Sequence, residues 1–343
     1  MGIQKTNLTD EKIKNILQKQ YNIKIINIKK IDRGTSNLFK IETEEDKYVL
    51  KEFISKRNEK NVIKEANIIN FLKQRNILVP RYIKTVNGKY YIKNEGRIII
   101  VEEFIDGYVI EDNTGDKEQV IQCANILGRL TKELSDYIEL SDENILEKYF
   151  SLKRVHLGIN KMKRLKDNIK EENIYKEQII KDINYRIEIL KEIVNDFDFN
   201  IVNKLTMLNS HGDFCSQQLI YNKNNEPTII DFEKAKKLPI VWEVVRSYCF
   251  IDKEAKDGDI NINTLVDYFK EFTKYIKLNK YDLKYAPYLY LLQLASSTYG
   301  YKEYNEDFNQ KKLLKFAFFR TNLCRSLNEK KEEISIKLLS NIK

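Results

Sequence analysis

The chain is poor in the residues that several protein classes depend on. Its 343 residues include two histidines, four cysteines, four prolines, eleven glycines and one tryptophan. The cysteines, Cys123, Cys215, Cys249 and Cys324, lie far apart and form no CxxC pair. With only two histidines beside them they offer neither a disulfide framework nor a zinc site, and they read as free thiols of a reducing cytoplasm. No apolar run approaches the ~20 residues a membrane helix needs; Arg97-Ile-Ile-Ile-Val101 is among the longest. The opening MGIQKTNLTDEKIKNILQKQ lacks the apolar stretch of a signal peptide. Internal repeats and long Pro/Gly/Ser linkers are also missing. These absences argue against a membrane partner.

What is present is ordinary for a globular protein: 42% hydrophobic and 32% charged residues. The length exceeds one typical core and suggests two lobes. The net charge is +9, but lysines alternate with Glu and Asp in almost every segment. No aromatic-basic stripe or recognised module accompanies them, so the charge reads as a solvated surface and nucleic acid is not an expected partner.

Thr9 or Asp10 can cap a helix over 10–21, with Ile13, Ile16 and Leu17 on one face. From Ile23 to Phe53 the pattern turns to period two, broken at DRGTSN and EEDK, which predicts three short antiparallel strands. A helix follows over 59–74 with Val62, Ala66, Ile69 and Leu72 as its buried stripe. Two more strands are expected near 82–86 and 97–104. Beyond Asp116 the patterns are helical, except for strand-like stretches between 206 and 231. The fold class is therefore α+β: a small antiparallel-sheet lobe over 1–105, then a larger, mainly helical lobe over 106–343.

Chemistry concentrates in HGDFCSQQLIYNKNNEPTIIDFEKA, His211 to Ala235. Asp213 and, eighteen residues on, Asp231 both sit where a strand ends. Asp213 can orient or deprotonate an attacking hydroxyl, and Asp231 can hold Mg²⁺, which takes one or two carboxylates plus phosphate oxygens. Phosphoryl transfer needs these parts. The kinase signature places a metal-binding amide five residues after its catalytic aspartate; counted from Asp213 that position is Gln218, one methylene longer than Asn. In the first lobe, Lys51 in YVLKEF lies on a strand and Glu65, fourteen residues later, on the following helix. Such a pair can steady the phosphates of ATP. The turn between the first two strands, with Gly34, Thr35 and Ser36, stands where a phosphate-covering loop belongs. VEEFIDG ends the last strand of that lobe, where backbone groups can meet adenine. His211 reads as a packed residue, and Glu243 and Arg246 can pair with each other or face substrate, the structural role being the favoured one. The tyrosines of YAPYLYLLQL read as core, with an aromatic wall for a choline-like cation as the alternative.

In this order, Lys51, Glu65, VEEFIDG, HGDFCSQQ and IDFE resemble the aminoglycoside-phosphotransferase and choline-kinase superfamily. IDFE is similar to choline and ethanolamine kinases; GTSNLFKIET is similar to homoserine-kinase-like and spore-coat-associated kinase-like proteins. The resemblance spans roughly residues 25 to 250. It implies a bilobal protein-kinase-like fold and transfer of phosphate from ATP, with Mg²⁺, to a small hydroxylated molecule. It further implies that Asp213 is the base, that Gln218 and Asp231 are the metal ligands and that Lys51 contacts phosphate. The backbone of Glu103 and Ile105 would hold adenine. Gln218 leaves an alternative open: a weak or inactive kinase-like binding or coat protein.

Overall fold

A computed structural model of the protein describes residues 6–32, 36–53, 57–138, 140 and 145–342. They divide into two compact units: 1–109 with 218–234, and 110–217 with 235–343. The first opens with α1 (Asp10–Tyr21). The hydroxyl of Thr9 accepts from the Lys12 N–H and caps the helix. Strands β1 (Asn27–Ile31), β2 (Asn37–Glu42) and β3 (Lys47–Glu52) follow as an antiparallel meander, then α2 (Glu59–Gln74). Asn58 and Asn61 close a reciprocal box at the start of α2. With β4 (Ile92–Asn94) and β5 (Arg97–Glu103) the sheet runs β1-β2-β3-β5-β4. Phe39, Ile41, Leu50, Ile99 and Val101 on one face bury Ile13, Leu17 and Tyr21 of α1.

One strand differs from expectation. The segment 82–86 pairs only as a bridge between Tyr82 and Glu102, and the outer strand is β4. The physical reason is a turn: the Gly88 N–H donates to the Thr85 carbonyl, and the Lys89 N–H to the Thr85 hydroxyl. The extended backbone therefore ends at Thr85.

The second unit is mainly helical. It contains α3 (Lys117–Ser135), α4 (Ile145–Tyr149), α5 (Leu152–Asp167) and α6 (Lys176–Asp196). Strand β6 (Met207–Ser210) then leads into the HGD turn. The chain next forms the hairpin of β7 (Leu219–Tyr221) and β8 (Pro227–Ile229), which packs with the first unit: the Ile229 N–H donates to Leu78 O, and Tyr108 and Tyr221 exchange backbone bonds. Strand β9 (Lys236–Pro239) returns to pair with β6. Helices α7 (Ile240–Ile251), α8 (Ile262–Phe272), α9 (Lys280–Ala295), α10 (Tyr301–Glu306) and α11 (Lys311–Asn341) complete the unit. None of the described helices is long and apolar enough to cross a membrane.

Candidate active site

Strand β3 lies between β2 and β5, which places Lys51 opposite Leu38 on one side and Ile100 on the other. Its ammonium sits 3.7 Å from the Asp231 carboxylate. Burial opposes that charge, but Asp231, Glu102 and Glu65 together outweigh it and hold the lysine above its ordinary range. Glu65 is on the buried side of α2, as its spacing suggests, yet its carboxylate binds the Arg57 guanidinium rather than Lys51. Arg57 also reaches Glu233 at 2.6 Å, and its guanidinium lies 3.9 Å from the centre of the Phe53 ring. Two cations and four carboxylates thus share one small volume. Glu102 bears the consequence: burial, then the neighbouring Glu65 and Asp231, push its carboxyl up to about 7 in spite of Lys51.

Sequence reasoning missed Arg57, Glu102 and Glu233. Arg57 stands in the non-periodic connection between β3 and α2 and gave no signal. Glu102 and Glu233 fall within VEEFIDG and IDFE, one residue from Glu103 and two from Asp231.

Asp231 and Gln218 lie at the same end of the β7–β8 hairpin, where the Ile230 N–H donates to the Gln218 carbonyl. Asp231 has φ +66°, a left-handed conformation uncommon for a non-glycine residue. Such conformations concentrate at functional sites because they re-aim a side chain at a cost of order 1–3 kcal/mol. The two side chains are hard oxygen donors, both partly exposed, and one already faces a cation. That donor set fits Mg²⁺, which keeps several waters and phosphate oxygens beside a few protein ligands.

In the second unit the HGD turn is held from α7. Gly212 takes φ +78°, which favours glycine. Glu243 is fully buried and accepts from the Ser210 hydroxyl and, at 3.0 Å, from the Phe214 N–H. Burial raises its carboxyl above the usual range. Arg246 donates to the Phe214 carbonyl at 2.8 Å and pairs with the Asp213 carboxylate. Glu243 and Arg246 therefore grip the turn instead of each other. His211 is buried and meets the Phe214 ring edge-on at 5.8 Å. Cys215 follows the turn, its thiol pushed up to about 12 by burial, so it is no nucleophile.

Of the remaining candidates, Ser36 is buried at the start of β2, while Gly34 and Thr35 lie outside the described residues. The Glu103 N–H is taken by the Arg81 carbonyl. The backbone of Ile105 makes no hydrogen bond with a described residue. A surface groove of about 480 Å³ over α1 and β4 is lined by none of these residues.

Comparison with known proteins agrees with this architecture. Among solved structures, a spectinomycin phosphotransferase in complex with ADP and spectinomycin superposes with TM-score 0.66 at 14% identity, covering 95% of this chain and all of that one. An aminoglycoside phosphotransferase from Alicyclobacillus acidocaldarius gives 0.63 at 14%, covering 96% and 98%. Choline kinase from Cryptosporidium parvum gives 0.61 at 18%, covering 97% and 99%. At such identities the likeness shows the fold, a protein-kinase-like α+β fold with a small antiparallel-sheet lobe and a larger helical one. No curated protein matches the chain. The model of the phosphotransferase enzyme family matches residues 27–268, and the chain belongs to that family.

Proposed function

We propose that the protein is a small-molecule kinase that moves the γ-phosphate of ATP, with Mg²⁺, to a hydroxyl of a small acceptor. Amino alcohols, hydroxy-amino acids, sugars and aminoglycosides are the acceptor types to which this reading extends. The observation that carries it is the Lys51–Asp231 pair at 3.7 Å, formed between a sheet lysine and the hairpin that also bears Gln218. Lys51 would bind the nucleotide phosphates, with Glu65 of α2 as a counter-charge near it. Ile105, whose backbone is free of bonds to described residues, would meet adenine together with the Glu103 backbone. The loop of Gly34, Thr35 and Ser36 would cover the phosphates. Asp231 and Gln218 would hold the metal, which when bound neutralises charge on the phosphate oxygens.

Asp213 would bind the acceptor hydroxyl and receive its proton. Arg246 fixes the direction of that carboxylate and Glu243 fixes the backbone beneath it, so little reorganisation is left for the moment of transfer. Free, buried thiols agree with a reducing, cytoplasmic setting. An ATP-consumption screen against hydroxylated amines, amino acids, sugars and aminoglycosides tests the proposal. Acceptor-dependent ADP release supports it; none with any acceptor class counts against it.

Gln218 supports a second reading, a kinase-like binding or coat protein that turns over little or nothing. In that case Gln218→Ala leaves the Mg²⁺ dependence of nucleotide binding unchanged.

A further inference from the structure

The second unit buries two arginines within one turn of α11 contacts, and they are treated very differently. Arg186 is fully buried and saturated: it donates to the Thr321 hydroxyl and to the carbonyls of Leu294, Ser297 and Ala317. Arg320 is 5% exposed, yet among the described residues its guanidinium donates only to the Ser297 hydroxyl, at 3.1 Å. None of the described carboxylates pairs with it. Asp182 of α6 is committed to Arg325 at 2.7 Å and to the Tyr301 hydroxyl at 2.5 Å. A buried cation without a counter-ion is costly. Burial, and then the charge of Arg186, lower the Arg320 guanidinium to about 10.

Its surroundings lead back to Asp213. Arg246, paired with Asp213, lies 5.0 Å from the centre of the Phe250 ring. Phe250 stacks on Phe316 at 6.0 Å, and Arg320 lies 5.6 Å from the Phe316 centre. Tyr299 meets Phe316 edge-on at 6.2 Å, and both rings are partly exposed. Tyr290 of α9 is 1% exposed, near enough to both Arg246 and Arg320 to feel their charges, and its hydroxyl makes no hydrogen bond with a described residue. Glu303, the acid beside Tyr299, accepts from the Gly300 N–H. An aromatic wall thus runs from the aspartate to a cation that none of the described carboxylates pairs with and a hydroxyl that makes no hydrogen bond with a described residue.

We propose that Arg320 and the Tyr290 hydroxyl anchor a carboxylate on the acceptor, so that the substrate is a hydroxy acid rather than a cationic amino alcohol or an aminoglycoside. This rests on the kinase reading only in taking the bound anion to be the phosphate acceptor; the anion site itself belongs to the second unit. One guanidinium matches one negative charge, and its planar fork suits a carboxylate. The faces of Phe316 and Tyr299 suit an apolar spacer between the hydroxyl and the acid.

Three matched alcohols test it: para-(hydroxymethyl)benzoate, benzenedimethanol and para-(hydroxymethyl)benzylamine. Binding to the full chain is measured by calorimetry, and transfer by ATP consumption. The benzoate should bind at least ~10-fold more tightly than the diol, the scale of one charge-assisted hydrogen bond. In Arg320→Gln the three should fall within about threefold of one another, and Arg320→Lys should keep part of the preference. Tyr290→Phe removes a single hydroxyl, should weaken the benzoate alone by ~3- to 10-fold, and serves if Arg320→Gln does not fold. Equal binding of all three to the wild type, a preference for the amine, or an Arg320→Gln loss shared by all three overturns the assignment. Arg320-dependent benzoate binding without transfer to any acceptor would instead sink the kinase reading and leave the anion site standing.

Discussion

Replacing Arg57 by Met should unsettle the first unit more than any surface charge change. The side chains of Arg57 and Glu65 are 3% and 1% exposed, and methionine keeps most of the volume over the Phe53 ring. What is lost is the counter-charge of a buried carboxylate, a change that typically costs ~3–5 kcal/mol. The contact to Glu233, a third of whose side chain is in solvent, adds less than about 1 kcal/mol. Glu65→Gln in the same chain removes the stranded charge, so the double variant should recover a large part of the loss. The coupling energy between the two sites should be at least ~2 kcal/mol. Urea unfolding of wild type, both single variants and the double variant provides the cycle, with the slope checked for constancy. Equal destabilisation of Arg57→Met and the double variant, with coupling under about 0.5 kcal/mol, would refute the clamp.

Three further outcomes follow from the same geometry. Glu102 has its carboxyl raised to about 7, so the folded state holds a proton that the unfolded state releases near pH 4. Stability is therefore lost as pH rises through that window, and Glu102→Gln should raise the free energy of urea unfolding at pH 8 by on the order of 2 kcal/mol while changing little near pH 4; the same gain at both pH values would contradict this. Arg246→Met leaves the Asp213 carboxylate unpaired and the Phe214 carbonyl unbonded, and should lower kcat about 10- to 100-fold with a smaller change in nucleotide KM; a purely nucleotide-binding defect would count against the positioning role. Gln218→Ala should raise the Mg²⁺ needed for half-maximal nucleotide binding by about 10-fold or more, Gln218→Asn should preserve or lower it, and Asp231→Asn should be worse than either; superimposable titrations would favour the binding-protein reading.

Local signals made much of this legible. Thr9 marks the start of α1, and the Val62, Ala66, Ile69 and Leu72 stripe defines α2, because capping and helical spacing are decided within a few residues. Lys51 and Glu65 could be assigned to a strand and a helix for the same reason. Their partners could not. Glu65 chooses Arg57, and Arg57 lies in a connection that carries no periodicity. Strand β9 escaped because Lys236 and Lys237 hide a short pairing with β6 that only the tertiary register specifies. The grip of Glu243 and Arg246 on the HGD turn spans some thirty positions of sequence, and their spacing on α7 equally suited a pair with each other.

The central claim is transfer of phosphate to a small hydroxyl acceptor through Asp213. It is tested most directly by following labelled γ-phosphate from ATP, in Mg²⁺, with the acceptor panel, in wild type and Asp213→Asn. The account predicts label in an acid-stable phosphate ester for the wild type. It predicts a loss of about a hundredfold to ten-thousandfold in the variant, with nucleotide binding retained. Label appearing only as inorganic phosphate, or equal transfer by both proteins, would contradict it.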